Sequence, residues 1–135
     1  MLRLTDATYT DMVAHALEDL PNEACGLIAT APGSPKVERV YRCGNAAASS
    51  RLYELDPLDH LKADRDAEAR GLEVVGVYHS HTHTDAYPSP TDVDQAPDPT
   101  WHYLLVSLKD AEPVVRSFRI VEGHIEEEPL ELDRR

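Results

Sequence analysis

The run "LEVVGVY" over residues 72–78 constrains this chain more than any other segment. It is apolar almost without interruption and rich in β-branched residues, which marks a strand covered on both faces. Such a strand needs neighbours at its sides and layers above and below, so the chain must build a sheet around it. Its exit is polar: "HSHTHTDAYPSPTD" follows over residues 79–92. Either this is a histidine-rich loop, or a buried strand is delivering ligands.

The other segments supply the partners of that strand. "LRL" near the start reads as a short strand, and Tyr9, Met12, Val13, Ala16, Leu17 and Leu20 recur at helical spacing between Thr5 and Leu20, with Pro21 beyond. "ACGLIAT" reads as a buried strand, "APGSP" as a turn and "KVERVYRC" as a half-buried alternating strand. "DPLDHLKADRDAEARG" opens on Asp-Pro, closes on Gly and is charged, which predicts an exposed helix. "SPTDVDQA" predicts a short helix, while "WHYLLVSLK", "PVVRSFRIV" and "HIEEEPLEL" predict three strands, the last two joined at "EG" as a hairpin. The expectation is a mixed α/β fold of about six or seven strands and two main helices, one domain over residues 1–135.

Composition narrows the partners. The net charge is −12, and no basic stripe of the kind that tracks phosphates is visible, so nucleic acid and anionic membrane are not expected. No run approaches the roughly 18 apolar residues of a membrane span, and "MLRLTDATYT" lacks the pattern of a signal peptide. Cys25 and Cys43 fit neither a disulfide framework nor a Cys-x-x-Cys site, which is consistent with a cytoplasmic protein.

Side chains alternate along a strand, so His79 and His81 point to one face and Ser80 to the other. Two imidazoles placed this way can converge on one ion. With a carboxylate they suit Zn²⁺, which in catalytic sites takes three protein ligands and keeps a fourth position for water. Asp92, at the start of the following helix, is the natural third ligand; Asp85 and His83 compete for the place. Ser89-Pro90-Thr91-Asp92 is also a complete helix start by itself, with Ser89 at the N-cap, Pro90 at N1 and Asp92 closing a capping box. The two readings are compatible, because helix entry fixes where the hydroxyl and the carboxylate point.

His79-x-His81, seven residues, Ser89, two residues and Asp92 resembles the JAMM (MPN-plus) metalloprotease motif. In that family a glutamate lies upstream at the start of a strand beside the metal, and "NEACGLI" matches with Glu23. "RLYELDP" and "HYLLVS" are similar to further family segments, and the likeness runs from about Leu4 to Leu130. "MVAHALEDLPNEACGLI", "VYHSHT", "AYPSPTDV" and "FRIVEGHIEEEP" most resemble the actinobacterial members that release cysteine from a ubiquitin-like sulfur-carrier protein. His-x-His-x-Asp-His hydrolases do not fit, since His83 and Thr84 stand where Asp and His would be needed.

The resemblance implies a cytidine-deaminase-like MPN/JAB fold with a curved mixed sheet, and one Zn²⁺ held by His79, His81 and Asp92. Zinc there would lower the pKa of a bound water from ~15.7 toward ~7. Glu23 would take the water's proton and pass it to the leaving amine, and Ser89 would hydrogen-bond the oxyanion. The implied substrates are extended Gly-Gly tails of ubiquitin-fold carrier proteins, with cysteine release as the first reading. Removal of ubiquitin-like modifiers from lysine is the second, and a metal-free scaffold of the same fold is the third. Tyr53 and Tyr87 are candidates for the border of a substrate groove. His83 and Asp85 are expected as loop residues, with support of the ligands as the alternative, His15 and His60 as solvated helix residues, and Cys25 as packed. Trp101 and Tyr103 are expected in the core or at the rim. His102 is expected near the same end of the sheet as the ligands.

Overall fold

A computed structural model describes residues 1–96 and 98–133. The chain runs through β1 (Leu2–Thr5), α1 (Asp6–Glu18), β2 (Cys25–Thr30), β3 (Val37–Cys43), α2 (Pro57–Ala69), β4 (Glu73–His81), α3 (Pro90–Asp94), β5 (His102–Ser107), β6 (Val114–Val121), β7 (His124–Glu128) and β8 (Leu130–Asp133). The apolar run forms β4, inside a six-stranded sheet of order β3-β2-β4-β5-β6-β7. β4 is antiparallel to β2 and parallel to β5, and the remaining pairs are antiparallel, so the sheet is mixed.

Successive residues of β4 serve opposite faces. Tyr78 packs with Leu4, Met12, Ile28 and Leu104 under α1 and β1. Val77 packs with Leu27, Tyr53, Ala63 and Tyr103 on the α2 side. His79 and His81 share the register of Val77, so they leave the strand on the α2 side. Gly76 is required by a close approach: a Cβ there would lie 2.2 Å from the carbonyl oxygen of His102 on β5.

α1 is capped by Thr5, whose Oγ1 accepts from the amide of Thr8 at 3.2 Å. It ends two residues before the expected Leu20, and Leu17 and Leu20 are exposed; the buried stripe is Tyr9, Met12 and Ala16. His15, expected to be solvated, is buried, because it sits beside that stripe over β4: Nδ1 lies 2.7 Å from the Tyr78 hydroxyl and Nε2 3.1 Å from Asp19 Oδ2. α2 is capped by Asp56, whose Oδ1 accepts from Leu58 and Asp59, with Pro57 in the first turn. Only Ala63 and Ala67 are buried on it, as its charged sequence implied.

The expected strand "HIEEEPLEL" is two strands. Pro129 has no amide hydrogen to continue the ladder; β7 ends before it, and β8 pairs in parallel with β1 in a separate two-stranded sheet. That division brings the described strands to eight. The β6–β7 hairpin turns on Glu122 and Gly123, both with positive φ (50° and 78°), the backbone of a two-residue primed turn. Among the described residues no helix is long and apolar enough to cross a membrane.

Candidate metal centre

β4 carries His79 and His81 to one face with ring centroids 5.1 Å apart. α3 brings Asp92 to them: Oδ1 lies 3.1 Å from His79 Nε2, and Oδ2 lies 2.9 Å from His81 Nε2. All three residues are buried, and their ligand atoms lie within 4.8 Å of one another. The capping box is also present. The Ser89 amide donates to Asp92 Oδ2 at 2.8 Å, and the Asp92 amide donates to Ser89 Oγ at 3.1 Å. Capping therefore locks the carboxylate that faces the imidazoles, and the two readings of this segment coincide.

Each imidazole is oriented differently. His81 Nδ1 lies 2.7 Å from the backbone oxygen of Asp85. A carbonyl only accepts, so Nδ1 carries the hydrogen and Nε2 is left to bind an ion or a proton. His79 has no such partner: among the described residues neither ring nitrogen makes a hydrogen bond, and its Nε2 approaches Asp92 without hydrogen-bond alignment. The ring is held instead by Tyr53, stacked on it at 4.2 Å. Tyr53 is thus buried against His79, and it also lines the cleft beside Trp101 and Tyr103, as a residue bordering a groove would.

Glu23 reaches the group through sheet pairing. β2 runs antiparallel to β4 with Cys25 opposite His79. Just before that pair, the Ala24 amide donates to Ser80 Oγ at 2.8 Å and the Ser80 amide donates to the Ala24 carbonyl at 3.0 Å. Glu23, the next residue back, is buried, and its Oε1 has no hydrogen-bond partner among the described residues. Burial pushes its pKa up to about 7, with His81 opposing and Asp92 adding to the rise. Burial would raise Asp92 too, but His79, His81 and the Ser89 amide outweigh it and hold that carboxyl far below its usual range. Burial lowers the pKa of His79; for His81 the Asp92 carboxylate and the Asp85 carbonyl overcome burial and raise it.

Two residues that sequence reading gave no role hold this arrangement. Ser80 stitches β2 to β4 between the two histidines. Asn45 donates through Nδ2 to the carbonyls of Glu23 at 3.0 Å and Leu52 at 3.1 Å, and its Oδ1 accepts from Ala47 and Glu54. It fastens the Glu23 backbone to the loop that carries Tyr53. Neither residue's contact with the centre has a local signature, because Ala24 and Glu23 lie 56 and 22 residues away along the chain.

The remaining candidates separate cleanly. His83 is exposed. Asp85 contributes its carbonyl to His81, while its carboxylate pairs with Lys109 at 3.0 Å. Tyr87 is exposed, edge-on to Phe118 at 5.5 Å. Cys25 is packed opposite Cys43, and burial pushes both thiols up to about 12, away from the thiolate form. His102 pairs with Gly76, five residues before His81 on a parallel strand, and so lies at the other end of the sheet, bound to Glu128. Trp101 and Tyr103 line a cleft of about 420 Å³ together with Tyr53, Leu55, Val77 and His60. His60 is half-buried there, 6.0 Å from the ring of Trp101, and is not simply a solvated helix residue.

The donor set fits zinc. Two imidazole nitrogens and one carboxylate oxygen are the ligands of a three-coordinate protein site with a fourth position for water. The unpaired nitrogen of His79 and the unpaired oxygen of Glu23 would each be costly to bury without a partner.

Residues 5–121 match the family described as prokaryotic homologs of the JAB domain. This chain belongs to that family. The CysO-cysteine peptidase of Mycobacterium tuberculosis is 47% identical over 122 residues, 90% of this chain and 84% of that protein. A desampylase of Haloferax volcanii is 37% identical over 78% of this chain and 80% of its own length. Among solved structures, protein DSY2949 from Desulfitobacterium hafniense superposes with a TM-score of 0.91 at 38% identity, covering 100% of this chain and 94% of that one. The fold is that of JAB/MPN domains, and the chain is an enzyme of the JAMM peptidase type.

Proposed function

We propose that this JAB-family chain is a zinc hydrolase that cuts the amide bond after the C-terminal glycine of a ubiquitin-fold sulfur-carrier protein and releases cysteine. The observation that carries this reading is the buried group His79, His81 and Asp92, with Glu23 beside it, in a chain 47% identical to a CysO-cysteine peptidase. His79, His81 and Asp92 would hold the ion. Bound zinc supplies an acidified water and a Lewis acid for the scissile carbonyl.

Glu23 has the burial and the unpaired oxygen of a proton carrier. It takes a proton from the attacking water and returns it to the departing nitrogen, so water's hydroxyl ends on the glycine carboxyl and its hydrogen on the released amine. Ser89 Oγ already accepts from the Asp92 amide, which leaves its own O–H to donate to the oxyanion. The cleft beside Tyr53 has room for an extended tail, and glycine suits a narrow approach because it has no side chain.

The desampylase relative favours a second reading, removal of a ubiquitin-like modifier from lysine. A metal-free scaffold is not supported, since the ligand set is complete. The test is incubation of the zinc-loaded protein with carrier–cysteine and carrier–lysine conjugates, with products weighed by mass spectrometry. Free cysteine and an intact carrier ending in glycine are expected. A protein that binds no zinc, or that leaves the cysteine conjugate whole, overturns the proposal.

A further inference from the structure

The loop between β3 and α2 touches the candidate centre at two points besides Tyr53 and Asn45. The Ser49 carbonyl accepts from the Glu23 amide at 2.8 Å, and the Ser50 carbonyl accepts from Thr82 Oγ1, one residue past His81, at 3.3 Å. Ser49 and Ser50 therefore bridge the residue proposed to carry the proton and the end of the ligand strand. Arg51 follows immediately, its amide fixed to Ser49 Oγ at 3.0 Å and its side chain exposed.

Arg51 is also electrostatically unspent. The chain carries 25 acidic and 13 basic residues. Among the described residues, seven of the ten other lysines and arginines have a partner: Arg3 with Glu131, Lys36 with Glu38, Arg42 with Asp11 and Glu18, Arg70 with Asp66, Lys109 with Asp85, Arg116 with Glu127 and Arg119 with the Pro99 carbonyl. Arg39, Lys62 and Arg65, which have no hydrogen bond or ion pair, lie on β3 and α2 outside this loop. Among the described residues the Arg51 guanidinium makes no hydrogen bond or ion pair. It is the only Lys or Arg in residues 44–56, and residues 82–89, the loop leading to α3, contain none. An unpartnered cation on the loop that contacts Glu23 and Thr82 is available to an anion that arrives with the substrate.

The chemistry identifies that anion. When the leaving group is an α-amino acid, its carboxylate is one carbon away from the nitrogen being released. When the leaving group is a lysine side chain of a protein, the corresponding carboxyl is remote and already tied in a peptide bond. We propose that Arg51 binds the α-carboxylate of the departing amino acid and thereby selects a free amino acid over a lysine side chain. The inference rests on the hydrolase reading above and adds the leaving-group preference to it. A guanidinium suits this task, because its planar fork can engage both carboxylate oxygens.

The test compares carrier–cysteine with carrier–cysteinamide, which differs only in lacking the charge, for the wild-type protein and for Arg51→Ala and Arg51→Lys. The wild type is expected to prefer the acid by about tenfold or more in kcat/KM, as one charge-assisted hydrogen bond gives. Arg51→Ala brings the acid-to-amide ratio close to one, mainly through KM, and Arg51→Lys retains part of the preference. Because the ratio is taken within one preparation, partial loss of folded protein cannot mimic the effect. An unchanged ratio in Arg51→Ala, or no preference in the wild type, overturns the role of Arg51 while leaving the hydrolase reading standing. No cleavage of either conjugate by the wild type overturns both.

Discussion

The ring of Tyr53 lies against the imidazole of His79, with centroids 4.2 Å apart and planes inclined by 24°. It does for His79 what the Asp85 carbonyl does for His81, fixing the ring where no hydrogen bond is available. Partners that orient a metal ligand typically contribute about 10- to 100-fold in affinity. Tyr53→Ala is therefore expected to weaken zinc binding by that order, read by competition with a chelator, whereas Tyr53→Phe keeps the stack and the affinity. Equal damage from both substitutions would place the effect in the hydroxyl and not in the stack.

Glu23→Gln removes the proposed proton carrier but keeps the size and polarity of the side chain. Zinc content should stay at one ion per chain, while turnover of the carrier–cysteine conjugate falls by about 10²–10⁴, the usual contribution of a general acid–base. A variant that keeps near-full kcat would take Glu23 out of the reaction.

Ser89 caps α3, and the second task proposed for it, donation to the oxyanion, can be separated from the first by substitution. Ser89→Ala loses the cap of α3, about 1 kcal/mol, together with the oxyanion donor, about 10²–10³ in kcat. Ser89→Asp can still accept from the Asp92 amide but has no hydrogen to donate. It should recover thermal stability relative to Ser89→Ala without recovering activity; melting curves and kcat measured side by side decide this. Joint recovery would mean that the cap alone matters.

His15 makes stability depend on pH. Burial lowers its pKa from the ordinary 6.5, opposed by Asp19. Between the folded value and 6.5 the unfolded chain binds more protons, so stability rises with pH across that window. The full contribution is present above about 6.5 and is lost as the pH falls through the folded value. In urea titrations, the advantage of the wild type over His15→Gln should shrink between about pH 7.5 and about pH 5.5. An advantage that grows in acid would show that the histidine is charged in the fold.

What the sequence determined by itself is what neighbouring residues can express. The apolar run before His79 specified a covered strand, and His79, His81, Ser89 and Asp92 lie close enough along one strand, loop and helix start for spacing to bring them together. The cap of α2 at Asp56-Pro57 and the hairpin at Glu122-Gly123 were legible for the same reason. Glu23 was reached only through family resemblance, since no local pattern marks a lone loop carboxylate.

Tertiary structure alone decided the relations between distant segments. The antiparallel register of β2 on β4 brings Glu23 to the group of His79, His81 and Asp92, while the parallel register of β5 carries His102 to the far end of the sheet. Asn45 came to hold the Glu23 backbone and Ser80 to tie β2 to β4, Tyr53 went against His79, and His15 went into the core, because of which elements face one another. Periodicity along a chain reports which face of an element is apolar; it carries no information on which other element covers that face, and that choice is made by packing.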